Sequence, residues 1–142
     1  TGPPSSPPPP GDARFDPGDW DSHRLLVPDE ALLFRYSALT FNGHRIHYDL
    51  PYATLEEGYR GLVAHGPLTA TLLLDLAQRQ FGDNSLTSFA FRGLSPALCG
   101  EKLHLVQRGD GTAVELGAFA ADGRPIMSAT AATKQAGGER GV

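Results

Sequence analysis

Residues 41–49, FNGHRIHYD, gather Asn42, His44, Arg45, His47 and Asp49 between two aromatic residues and an isoleucine. An imidazole with an ordinary pKa of about 6.5 is mostly neutral near pH 7 and accepts a proton, so His47 is the candidate general base. The amide of Asn42 holds water or substrate by hydrogen bonds but does not ionise. Arg45 offers a planar fork suited to a carboxylate. Asp49 could orient His44 or His47, although a carboxylate just before Pro51 also suits a turn cap. The spacing of His44, His47 and Asp49 admits zinc, but no cysteine or fourth ligand accompanies them, and no metal is expected. The plain alternative is a hydrogen-bonded polar turn in which His47 is merely satisfied.

A second stretch, AHGPLTATLLLDLA, begins with His65-Gly66-Pro67. Proline fits the first turn of a helix, where its missing N–H would lack a partner anyway. A glycine N–H at that helix start would point outward, favour negative charge and let a ligand come close. Gly66 is therefore the candidate oxyanion donor, with a simple turn into the helix as the competing reading. His65 is expected to be packed or hydrogen-bonded.

These residues must be held by something. Helix 67–81 carries leucines at 68, 72, 73, 74 and 76, apolar on nearly all sides, so it must be enclosed. Residues 31–38, ALLFRYSA, could be a strand or a short helix, and 51–59 reads as a short helix opened by Pro51 and stopped by Gly58. After Gly82-Asp83 the period becomes that of strands: TSFAFRGLSP, EKLHLVQR, TAVELGAFAA and RPIMSATAAT, with turns at Gly109-Asp110-Gly111 and Asp122-Gly123. A curved antiparallel sheet around one long buried helix accounts for both patterns. This is the α+β hot-dog architecture. Such a sheet leaves one helix flank and one strand edge bare, which predicts a dimer.

Length and charge narrow the rest. The chain has 142 residues, enough for one domain with a real core, expected over 22–136 between tails at 1–21 and 137–142. With 12 basic and 16 acidic residues the net charge is −4, which argues against nucleic acid or a membrane surface as partner. A single cysteine, Cys99, cannot form an internal disulfide, and a reduced, cytoplasmic setting is expected. The prolines of TGPPSSPPPP suit an extended linker, not a signal peptide.

TFNGHRIHYD followed by AHGPLTATLLLDLA resembles the MaoC-like hot-dog hydratase and dehydratase family. The family pattern is an aspartate, four residues, a histidine, then an aspartate after one more residue, with a His-Gly step opening the central helix. Here it falls on Asn42, His47, Asp49 and His65-Gly66, with an amide where the family usually has its first aspartate. The fuller string LFRYSALTFNGHRIHYDLPYA with GLVAHGPL resembles one subgroup in particular, the mesaconyl-CoA hydratases and 3-hydroxyacyl-thioester dehydratases. Members often carry two hot-dog halves in one chain, and this sequence looks like the second, motif-bearing half.

The resemblance implies a hydro-lyase acting on a short-chain enoyl or 3-hydroxyacyl thioester, with mesaconyl-CoA-like substrates among the candidates. It implies no cofactor, because coenzyme A belongs to the substrate. His47, Asn42 and Gly66 become the catalytic candidates, and His44, Arg45, Asp49, His65 and Arg92 the candidates for substrate contacts. A homodimer or a hot-dog heterodimer is the expected assembly. A non-catalytic acyl-CoA-binding partner subunit and a hot-dog thioesterase are the competing functions.

Overall fold

Five strands and two α-helices make up the fold in a computed structural model that describes Pro7 and residues 9–133. The strands are β1 (Ser22–Leu26), β2 (Leu86–Gly93), β3 (Leu103–Gly109), β4 (Val114–Ala120) and β5 (Pro125–Thr133). The helices are α1 (Glu30–Thr40) and α2 (Gly66–Phe81). All pairings are antiparallel, in the order β1-β3-β4-β5-β2. The meander β3-β4-β5 comes from the two glycine-bearing turns read in the sequence. Gly109 has a positive φ, and a Cβ there would strike the Ala113 carbonyl, so no other residue fits that corner.

Alternation along the strands decides which face meets α2. Leu103, Leu105 and Gln107 of β3 stand opposite Ala120, Ala118 and Leu116 of β4, and Ala118 and Leu116 stand opposite Met127 and Ala129 of β5. All are buried. The alanines let the helix approach closely, and Leu68, Leu73, Leu76 and Ala77 fill the gap from its side. Leu72 and Leu74 stay only half-buried, so the sheet encloses one side of α2 and leaves a flank. This is the hot-dog architecture, a sheet curled over one central helix.

Residues 31–38, ambiguous in sequence, are helical. Asp29 caps α1 by accepting the Leu32 N–H at 2.8 Å, and Leu33 and Ser37, one turn apart, face inward. The ambiguity came from Phe34 and Leu39, which are apolar yet exposed on the opposite side. Strand β1 gave no signal, because SHRLL is short and its burial alternates only between partial and full exposure. Within the stretch expected as an N-terminal tail, residues 11–21 lie along the outer face of the sheet. Phe15 stacks on Phe119 at 4.7 Å and donates its N–H to the Ala121 carbonyl, and Arg108 sits over the Trp20 ring. Phe15 and Trp20 give that segment apolar anchors which the prolines before it lack. Residues 1–6 and the tail expected at 137–142 fall outside the described residues.

Candidate active site

The segment that carries His47 is a single tight turn, Arg45–His47, pinned at two points. The Val63 N–H donates to the Ile46 carbonyl at 2.9 Å, and His47 Nδ1 lies 2.6 Å from the Val63 carbonyl. Residues 62–64 are themselves anchored: Ala64 donates to Ala97 and accepts nothing from the turn, while Cys99 donates to Leu62. A carbonyl can only accept, so Nδ1 must carry the proton. The neutral ring then presents an unprotonated Nε2, the form a general base requires. His47 is 7 % exposed, and its pKa lies below the usual 6.5. Burial is the main cause, the Val63 carbonyl opposes it, and His44 adds to it.

Gly66 opens α2, with His65 as the residue before it and Pro67 behind. His47 and Gly66 border one cavity of about 240 Å³. Thr69 and Ser95 are its other polar walls, and Ile46, Ile126 and Met127 make it greasy. A base and a helix N-terminus thus face one largely apolar space, a setting in which developing negative charge is strongly felt.

The remaining candidates are distributed differently. Asn42 borders a neighbouring hollow of about 360 Å³ with Phe34, Ser37 and Tyr48, and its Oδ1 accepts the His44 N–H at 3.1 Å. Arg45 is paired with Asp49 at 2.9 Å, one helical turn on, and lies over the Tyr52 ring. Asp49 also accepts the Tyr52 N–H, and that bond first, then Arg45, holds its carboxyl below the usual range. It is the turn cap that its place before Pro51 suggested. His44 is exposed and meets His47 edge-on at 5.6 Å. Arg92 sits on the outer strand β2, beside a separate shallow hollow, because the alternation of the strand turns it away from α2. His65 is buried behind His47 and does not border the cavity. Among the described residues no group of three or more His, Cys, Asp or Glu could hold a metal ion. Cys99 is half-buried, and burial pushes its thiol up, with Glu30 and Asp29 adding to the effect.

Three contributors were not read from the sequence. Val63 acts through its carbonyl, which no side-chain pattern reveals. Arg124 donates to the Ser95 hydroxyl and the Pro96 carbonyl and so braces the loop beside the cavity. Ser37 did leave a trace: a hydroxyl one turn from Leu33, on the face of α1 that turns inward.

Gly66 offers a direct prediction. A Cβ built there meets nothing within 4 Å. Gly66→Ala should keep stability within about 1 kcal/mol of wild type, since alanine is the better helix former. It should lower kcat/KM about 10–100-fold by displacing the ligand. Thermal melts beside steady-state kinetics check this. An unchanged kcat/KM would remove the Gly66 N–H from the site.

Comparison with known proteins gives the family. The model for hydroxyacyl-thioester dehydratase type 2 matches residues 3–99, and the chain belongs to that family, within the MaoC-like hot-dog hydratases and dehydratases. It is 50 % identical over 107 residues to a mesaconyl-C(4)-CoA hydratase of Chloroflexus aurantiacus, covering 75 % of this chain and 38 % of that protein. It is 40 % identical over 83 residues to a mitochondrial hydroxyacyl-thioester dehydratase type 2 of Schizosaccharomyces pombe, covering 57 % and 28 %. A MaoC-like dehydratase from Phytophthora capsici has the same fold, with a TM-score of 0.73 at 19 % identity over 92 % of this chain and 48 % of that one. The matched stretch therefore spans only 38 % and 28 % of the length of these two curated relatives.

Proposed function

We propose that this chain carries the reacting half of a hydro-lyase that adds water across, or removes it from, a short-chain enoyl or 3-hydroxyacyl thioester of coenzyme A. The observation that carries the reading is His47, in its Nδ1–H tautomer, facing the same cavity as the first N–H of α2. In hydration, Nε2 of His47 takes a proton from water as its oxygen bonds to the β-carbon. The electron pair of the double bond moves toward the thioester, whose oxygen gains enolate charge and accepts from the Gly66 N–H. The proton held on His47 then passes to the α-carbon, which restores the neutral ring, and the sum is one water added. No electrons are exchanged, so base and oxyanion donor suffice and no cofactor is needed. The half-identical relative named for mesaconyl-C(4)-CoA supports a substrate of that kind.

The cavity is small beside the 300–1,000 Å³ of ordinary ligand sites, and it adjoins unfinished surface. Strand β2 is an edge with Phe91 half-exposed, and Leu72 and Leu74 of α2 are half-covered. We place a second hot-dog unit there, from the same longer polypeptide, a second copy or a related chain. Among the described residues no helix is long and apolar enough to cross a membrane. The unpaired thiol of Cys99 suits a reducing compartment such as the cytoplasm.

The test is loss of enoyl absorbance from crotonyl-CoA and mesaconyl-CoA, run beside a free-thiol assay. Hydration without thiol release supports the proposal, and thiol release without hydration would make the protein a thioesterase. The amide at position 42, where the family usually has an aspartate, favours one further reading, a partner subunit that binds acyl-CoA but has lost its base. We expect Asn42→Asp to change kcat/KM less than about threefold, because position 42 borders the other hollow. A gain of about tenfold or more would support the partner reading instead.

A further inference from the structure

His65 is the least exposed ionisable side chain near the cavity, at 1 %. Its ring lies nearly parallel to that of His47, with centroids 3.7 Å apart and planes at 19°. Tyr36 of α1 touches it at 4.7 Å, and its Nε2 is 2.8 Å from the Ser37 hydroxyl. Its Nδ1 is buried without a partner. An unpaired buried lone pair is tolerated better than an unpaired N–H, so Nε2–H donates to Ser37 and Nδ1 keeps its lone pair. Ser37 borders the hollow that holds Asn42, and His47 borders the cavity that holds Gly66. His65 thus joins the walls of the two spaces.

A phenylalanine would fill this volume without stranding a nitrogen, so the imidazole needs a reason. Ser37 supplies one, because a ring tied at Nε2 cannot rotate, and a fixed ring fixes whatever stacks on it. Resting on the reading of His47 as base, we infer that His65 is a positioning residue. Tied to Ser37 and stacked on His47, it sets the plane of the His47 ring, aims Nε2 into the cavity and keeps water off one face.

One consequence follows. His65 itself does not compete for the proton, because burial, with His47 adding to it, lowers its pKa to about 4. The other titratable rings in reach are His44, edge-on to His47, and Tyr36.

The experiment is an NMR titration of the His47 imidazole in wild type, His65→Ala, His65→Phe and Ser37→Ala, with pH profiles of kcat and KM for crotonyl-CoA. In His65→Ala the His47 titration should move up toward 6.5. The acid limb of kcat/KM should move with it, and kcat should fall about tenfold with KM changed less than about threefold. His65→Phe restores the stacked face and should return His47 close to its wild-type titration. Ser37→Ala frees the ring and should shift it part of the way. If His65→Ala does not fold, the other two variants decide. An unmoved His47 titration in folded His65→Ala or in Ser37→Ala overturns the inference. A shifted titration in a protein that hydrates no enoyl thioester leaves the positioning role standing and removes only the catalytic one.

Discussion

His47→Asn is expected to lower kcat/KM for crotonyl-CoA hydration about 10²–10⁴-fold, the range that loss of a positioned general base gives. Asparagine is the informative replacement because its amide nitrogen takes the place of Nδ1 and can still donate to the Val63 carbonyl. That contact pins the turn at 45–47 to residues 62–64, so the fold is kept while the base is lost. The remaining rate comes from the Gly66 N–H and from binding, neither of which the substitution touches. The wild-type pH profile carries the same information. Burial lowers the pKa of His47, so the acid limb of kcat/KM for hydration should lie below 6.5. Activity is full above that limb and lost as pH falls through it, because protonation occupies Nε2. In His47→Asn this limb should vanish. Equal rates for the two proteins, or an acid limb that persists in the variant, would take His47 out of the mechanism.

How far the sequence reaches can be judged from single residues. The helix at 67–81 and the meander after Gly82 were readable because each rests on local periodicity and on glycine turns, which are properties of adjacent residues. The placement of His47 and Gly66 on one cavity was foreshadowed by a short motif, although 19 positions separate them in the chain. What joins them is a pairing remote in sequence: residues 62–64 hold the turn at 45–47 and are held in turn by residues 97–99. Arg45 has a fork that suits a carboxylate, and the carboxylate it meets is Asp49, four residues on, where a single helical turn brings them together. Arg92 lies apart from the His47 cavity, because a strand sends alternate residues to opposite faces and the sequence there carried no register. His65 looked like packing, and it is packed. What it is packed against, the ring of His47, was invisible until the helix start and the turn were placed side by side.

The second large effect is on stability. Folding stability should fall as pH drops from about 6.5 toward 4, before most carboxylates are protonated. In the unfolded chain His47 and His65 both take protons near the ordinary 6.5. In the folded chain His65 resists until about 4, and His47 is lowered as well. Through that interval the unfolded state binds more protons, so acid favours it. For His65 alone the full displacement corresponds to about 3 kcal/mol, and water reaching the adjoining cavity reduces it to about 2. Asp49, Asp75, Asp110 and Asp122 also have lowered pKa values, but their stabilisation is lost mainly further down, as pH falls below the usual 3.8. His104, lowered by burial and by His23, adds a background that a variant at position 65 leaves in place. The measurement is therefore a comparison. Denaturant melts of wild type and His65→Phe between about pH 7.5 and 4.5 should diverge as pH falls, with the variant losing less stability, by about 1–2 kcal/mol at the acid end. The offset at neutral pH reflects packing alone, and only its change as pH falls bears on the point. Parallel curves across the whole interval would mean that residue 65 takes up its proton as readily folded as unfolded, and the neutral, enclosed imidazole behind His47 would have to be given up.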